Sequence, residues 1–220
     1  MSTAPAPAPL LFPLFLKLEG RKVLLVGAGG VAASKLATLR GTGAEVLVVA
    51  PEIGAGIAAA EAAGECAVLR RPFVEGDLQG AWLAIAAAPP EVNRAVAAAA
   101  GKLFVFVNAV DDPAPASAYA GGVVRREGVT LAISTAGRAP ALAGLLREAL
   151  DALLPPELGA WVAEASSLRA GHKAAKIPLA ERRPLLLRAL NRIYGQESEH
   201  ESEHESGNES GNEPGNESGE

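Results

Sequence analysis

Chemistry in this 220-residue sequence begins with Val26-Gly-Ala-Gly-Gly-Val-Ala32, where Gly27, Gly29 and Ala32 fit the G-x-G-x-x-G/A spacing. There the first glycine permits a tight turn and the second lets a pyrophosphate approach the backbone. The small third position lets a helix pack against a strand. Gly30 and Val31 stand where free N–H groups and the positive end of a helix dipole would meet phosphate. The ligand implied is a dinucleotide of the NAD type. Asp111, in Asn108-Ala-Val-Asp-Asp-Pro113, is the other chemical candidate. A carboxylate near a nicotinamide can take the proton that must leave when a hydride is removed from carbon. Asp-Asp-Pro also reads as a simple turn.

The elements that position these groups follow from apolar runs punctuated by glycine and proline. Val23–Val26 reads as a buried strand, and the helix after Gly30 stops at Gly41-Thr-Gly43. Further strands are expected at Val46–Val49, Cys66–Leu69, Trp82–Ala86 and Phe104–Asn108. Helices are expected at Ile57–Ala63 and from Pro89 to Ala100. This α/β alternation predicts a Rossmann-type parallel sheet, covered on both faces, over residues 10–113. Ligands of such sheets sit beyond the carboxyl ends of the strands. Gly27–Gly30, Ala86, Ala87, Ala88 and Asn108–Asp112 should therefore surround one crevice. The second strand runs into Ala50-Pro51-Glu52, so either Glu52 or backbone around Pro51 holds the adenosine ribose. No basic residue stands there to favour a 2′-phosphate, as NADP would require.

After Pro113 the rhythm changes. Val123–Gly128 and Val129–Ser134 read as a hairpin, and Ala141–Leu154 as a helix with Leu142, Leu145, Leu146, Ala149, Leu150 and Leu153 on one face. A two-stranded hairpin with one helix is too small to be stable alone, so 114–154 is expected to be a dimerisation segment of a homodimer. Pro155-Pro156 opens a helical segment, 155–195, with helices at Leu158–Leu168 and Leu179–Ile193. Residues 1–9 alternate Ala and Pro and are expected to form a flexible arm. Leu10–Leu16 is apolar and must be covered by something. The stretch 196–220, built of Glu, Ser, His, Gly and Asn, is expected to be a disordered acidic tail.

The formal charge of −5 belongs to that tail. The 20 Lys and Arg before Gln196 stand beside 16 acids, leaving +4, and the other nine acids follow. A body so mildly basic has no dense stripe for nucleic acid. The single Cys66 excludes an internal disulfide framework. No apolar run is long enough to span a bilayer, and the first residues lack the pattern of a signal peptide. A cytoplasmic protein, not bound to membrane, is expected. Before the tail only His172 is present, beside Lys173, and it reads as a surface residue, so no resident metal site is expected; His200 and His204 lie among glutamates.

Several stretches in order, namely Leu11-Phe-Pro-Leu-Phe-Leu, Val26–Lys35, Trp82–Ala87, Val107–Pro113 and Ile133–Arg147, resemble the precorrin-2 dehydrogenase family. That family includes the N-terminal module of siroheme synthase, and the likeness covers about residues 10–170. It implies NAD-dependent oxidation of precorrin-2, a tetrapyrrole, to sirohydrochlorin. In some members insertion of a divalent metal, Fe²⁺ or Co²⁺, follows. It also implies a dimer built through the segment after the nucleotide domain, and it assigns the key aspartate to Asp111. Ser134 and Thr135 fall in the family's Ser/Thr-Gly turn, where Ala136 and Arg138-Ala139 replace the usual small and hydroxyl residues. Arg138 is the preferred cation for the carboxylates of the substrate, with Arg125, Arg126 and Arg147 behind it. No methyltransferase module is expected within the chain. Two other readings are a non-catalytic NAD(H)-binding redox sensor and a protein that is chiefly a chelatase.

Overall fold

The computed structural model describes residues 10–110, 112 and 114–206, with 194–206 described in backbone alone. Asp111, the arm at 1–9 and residues 207–220 lie outside the described residues. The described chain divides into two compact units. One takes the residues up to Gly122 together with Ile133–Gly144; the other takes Val123–Ala132 and everything from Leu145 onward.

The first unit is a five-stranded sheet made of β1 (Lys22–Val26), β2 (Glu45–Val49), β3 (Ala67–Leu69), β4 (Ala81–Ala86) and β5 (Phe106–Ala109). Its order is β3-β2-β1-β4-β5, and every pairing is parallel. Strand alternation sends Val23 and Leu25 to one face with Val46 and Val48, under α1 (Gly30–Leu39) and α2 (Ala55–Ala62). Leu24 and Val26 go to the other face with Ala84, Ala86 and Val107, under α3 (Pro90–Lys102). Both faces are thus apolar, as a parallel sheet buried on two sides requires. Leu24, Leu25 and Ile57 are fully buried, and each contributes roughly 1.5–3 kcal/mol.

Asp77, in a 3-10 turn at Glu75–Leu78, is the buried charge of this unit. Arg71 pairs with its carboxylate at 2.5 Å, and the Val74 N–H donates to it at 2.9 Å. The Lys22 ammonium donates to the carbonyls of Asp77 and Gln79, tying the turn to the first strand.

The fifth strand begins two residues later than the sequence suggests. Helix α3 continues to Lys102, and the Leu103 and Phe104 N–H groups bond back to the Ala100 and Gly101 carbonyls. Phe104 turns left-handed (φ +56°), so the strand restarts only at Phe106. Along its edge the Val107 carbonyl accepts from the Ser117 and Ala118 N–H groups, and the Val107 N–H donates to Ser117 Oγ. Residues 10–16 have no regular structure, and Leu10, Phe12 and Phe15 are exposed, so the cover expected for them is not supplied by the described chain.

In the second unit β6 (Gly122–Arg126) and β7 (Val129–Ile133) form the hairpin. Glu127 (φ +47°) and Gly128 (φ +79°) give the two consecutive left-handed residues of a tight hairpin turn. Helix α4 (Pro140–Leu153) ends where the Arg126 guanidinium donates to the Asp151 carbonyl at 3.2 Å and the Pro155 carbonyl at 2.8 Å. Helices α5 (Leu158–Ala174) and α6 (Leu179–Ser206) pack side by side. Helix α6 carries its backbone through 196–206, the first part of the stretch expected to be disordered. Gln and Glu are fair helix formers, and no Gly or Pro interrupts between Gln196 and Ser206. No helix among the described residues is long and apolar enough to cross a membrane.

Candidate nucleotide-binding and active site

The strand order reverses direction between β1 and β4, so the loops leaving Val26 and Ala86 diverge and open a crevice at their carboxyl ends. Backbone hydrogen bonds fix the rim. The Gly27 N–H donates to the Val49 carbonyl (2.9 Å), the Ala87 N–H to Val26 (2.8 Å), the Val110 N–H to Ala86 (2.9 Å) and the Gly54 N–H to Ala28 (3.0 Å). The Ala88 N–H donates to Oδ1 of the buried Asn93 at 3.0 Å, which pins the loop after β4.

Within this rim the three fingerprint positions do separate jobs. Gly27 has φ +109°, and a Cβ there would lie 2.2 Å from the Ala87 carbonyl oxygen. Only glycine lets the two loops come so close. Gly29 and Gly30 face open space, where an added Cβ would meet nothing within 4 Å. Ala32 is completely buried, in the apolar cluster under α1. Gly29 is the N-cap of α1 without a side-chain cap, and the first turn holds no acidic residue. An open, uncapped helix start of this kind fits a pyrophosphate, which would receive the N–H groups around Gly30 and Val31.

Pro51 and Glu52 are exposed just past β2, as the ribose reading needs. Ala86 is buried and Ala87 half-buried at the mouth of β4. Asn108 pairs with Ile85, and its Nδ2 donates to the Ala118 carbonyl at 3.0 Å, which gives that amide a holding task for the 117–118 segment. Asp111 lies outside the described residues, two positions after the end of β5.

Ser134, Thr135 and Arg138 share one turn ahead of α4. Ser134 Oγ accepts from the Ala136 N–H (3.1 Å), Thr135 Oγ1 from the Ala139 N–H (3.2 Å), and Arg138 Nε donates to the Thr135 carbonyl (3.4 Å). Ala136 (φ +53°) and Gly137 (φ +73°) are both left-handed there. Arg126 is drawn away from any ligand role by its two carbonyls at the end of α4. Arg147 pairs with Glu148. Cys66 is no nucleophile: burial, then Glu61 and Glu65, push its thiol pKa up, so it stays protonated at neutral pH. Among the described residues no group of three His, Cys, Asp or Glu is placed to hold a metal. Hollows of about 400 and 370 Å³ lie at the opposite, amino-terminal end of the sheet, lined mainly by aliphatic side chains.

Two residues of the rim, Gly54 and Asn93, escape sequence reasoning. A Cβ on Gly54 would lie 2.7 Å from the Ala28 carbonyl oxygen, so its glycine is set by a contact with the neighbouring loop after β1. The nearest signal in the sequence is the glycine pair of Ile53-Gly-Ala-Gly56.

The family model described as "Putative NAD(P)-binding" matches residues 14–122. Siroheme synthase 3 of Aeromonas hydrophila subsp. hydrophila is 43% identical over 172 residues, covering 78% of this chain and 37% of that protein. Siroheme synthase of Photorhabdus laumondii subsp. laumondii is 39% identical over 180 residues, covering 81% and 38%. The chain thus spans little more than a third of the length of these curated relatives. Among solved structures, "SirC, precorrin-2 dehydrogenase" superimposes with a TM-score of 0.62 over 81% of this chain and 88% of that one, at 24% identity, and shares the fold. The glycine corner and the matching family model together assign an NAD-type cofactor to the first unit. From its sequence likeness over four fifths of its length, the chain belongs to the precorrin-2 dehydrogenase family, that of the siroheme synthase N-terminal module.

Proposed function

We propose that this chain oxidises precorrin-2 to sirohydrochlorin with NAD⁺, in siroheme biosynthesis. One observation carries the reading: a chain about 40% identical to siroheme synthases over four fifths of its length keeps the start of α1 open and uncapped. NAD⁺, when bound, supplies the hydride acceptor. The chain holds its pyrophosphate at Gly29, Gly30 and Val31 and its ribose at Glu52 or the Pro51 backbone. The absence of a basic residue beside Glu52 favours NAD over NADP. Loss of a hydride from a ring carbon leaves a proton to be removed, and Asp111 is the base in this reading. Ser134, Thr135 and Arg138 receive the substrate's carboxylates, Arg138 as the cation.

The working unit is a homodimer. Leu145 and Leu153 of α4 are 65% and 77% exposed in the single chain, and Leu142, Leu146 and Leu150 add to the same apolar face. A second copy of that face is the cover it calls for. A supply of NAD⁺ and a lone cysteine that needs no disulfide partner support a cytoplasmic enzyme in this reading.

The test is incubation with precorrin-2, with and without NAD⁺, following NADH absorbance. Turnover that requires NAD⁺ is expected. Tight NADH binding with no tetrapyrrole turnover would replace the enzyme with a redox sensor. Supplying sirohydrochlorin with Fe²⁺ or Co²⁺ then measures whether metal insertion follows.

A further inference from the structure

Asn93 is 3% exposed, and with Asp77 it makes up the buried polar side chains of the described residues. It stands at the start of α3, on the inner face that it shares with Val96, Ala97 and Ala100. An aliphatic side chain would fill that place without the cost of burying an amide. The bond that offsets the cost leads out of the helix, from the Ala88 N–H to Asn93 Oδ1 at 3.0 Å.

That bond sets the direction of a whole peptide unit. The Ala87–Ala88 peptide is trans and planar, so its carbonyl points away from the N–H that Asn93 holds. The Ala87 N–H is fixed as well, on the Val26 carbonyl. The Ala87 oxygen is thereby turned to the glycine corner, where it is the atom nearest to the place a Cβ on Gly27 would take. Ala87 is half-buried, and among the described residues no loop N–H donates to its carbonyl. The rim thus carries an oriented acceptor beside the uncapped start of α1, which offers donors. A pyrophosphate suits the donors, and a sugar hydroxyl suits the acceptor. Strand β4 lies on the other side of β1 from β2, so an adenosine ribose at β2 leaves the second ribose, the one that carries the nicotinamide, to the side of Ala87. On the reading that NAD lies here with its adenosine ribose at β2, we propose that Asn93 is a positioning residue for the cofactor. It holds the Ala87 carbonyl where that oxygen accepts a hydrogen bond from a hydroxyl of the nicotinamide ribose.

The experiment titrates the full chain with ADP-ribose and with ADP by calorimetry, because ADP-ribose carries the second ribose and ADP stops at the pyrophosphate. Wild type is compared with Asn93→Leu and Asn93→Ala, which remove the acceptor, and with Asn93→Asp, which keeps an oxygen for the Ala88 N–H. The two removals differ in bulk, so either one serves where the other does not fold. Each should weaken ADP-ribose about tenfold, the worth of one hydrogen bond, and ADP by less than about twofold. Asn93→Asp should hold ADP-ribose within about threefold of wild type. Equal losses for the two ligands would make Asn93 a support of the fold alone and overturn the assignment. An unchanged affinity of the removals for ADP-ribose, or a loss in Asn93→Asp as large as theirs, would overturn it too. Wild type that binds neither ligand would instead take NAD out of this corner, and the role of Asn93 with it.

Discussion

Gly27 and Ala87 approach so closely that a methyl group on the first would lie 2.2 Å from the carbonyl oxygen of the second. This contact joins the turn after β1 to the loop after β4, the two walls of the nucleotide crevice. Gly27→Ala should therefore cost stability by about 1–3 kcal/mol and lose NAD⁺ binding with it. Gly29→Asp, at a position facing open space, should keep the wild-type melting temperature and abolish NAD⁺ binding through charge and bulk. Thermal unfolding and a fluorescence titration with NADH separate the two. Normal NADH binding by Gly29→Asp would remove the pyrophosphate from this corner.

Asp111→Ala should bind NAD⁺ as the wild type does and lose at least about a hundredfold in the rate of precorrin-2 oxidation. Single-turnover NADH formation reads the chemical step directly. An unchanged rate would end the role proposed for this carboxylate.

Acid sensitivity should come in part from Asp77. The hydrogen bond from Arg71 leads the causes that hold its carboxyl below the usual carboxylate range, and the Val74 N–H adds to it against the cost of burial. A lowered folded pKa stabilises above the unfolded value, about 3.9, and that contribution is lost as pH falls through the folded pKa. Asp77→Asn should be less stable than wild type at neutral pH, and the gap should close as acid is added. Urea melts across this range check it; a gap that ignores pH would show that the ion pair is not its source.

Leu145→Glu combined with Leu153→Glu puts charge on the exposed face of α4. The doubly changed chain should run as a monomer in analytical ultracentrifugation, where the wild type should run as a dimer. Retained dimerisation would move the interface elsewhere.

Much of the first unit was legible because its strands are short apolar runs closed by glycine or proline, and the glycine corner announces its own geometry. Phe104-Val-Phe106 misled because its side chains suit a strand, while the capping bonds that end α3 belong to the backbone and leave no mark in composition. Helix α5 was expected to stop near Leu168, before Arg169-Ala-Gly171, yet it continues to Ala174. A glycine such as Gly171 costs a helix only about 1 kcal/mol, and α5 packs against α6. Gly54 and Asn93 were invisible for another reason: each is chosen by a backbone atom that becomes its neighbour only after folding.

The pairing of Ser117 and Ala118 with Val107 closes one flank of the sheet, and at the other flank β3 is only three residues long. Among the described residues these borders leave little ladder on which a stranger's strand could zip itself, which guards the five-stranded sheet against fibre-like growth.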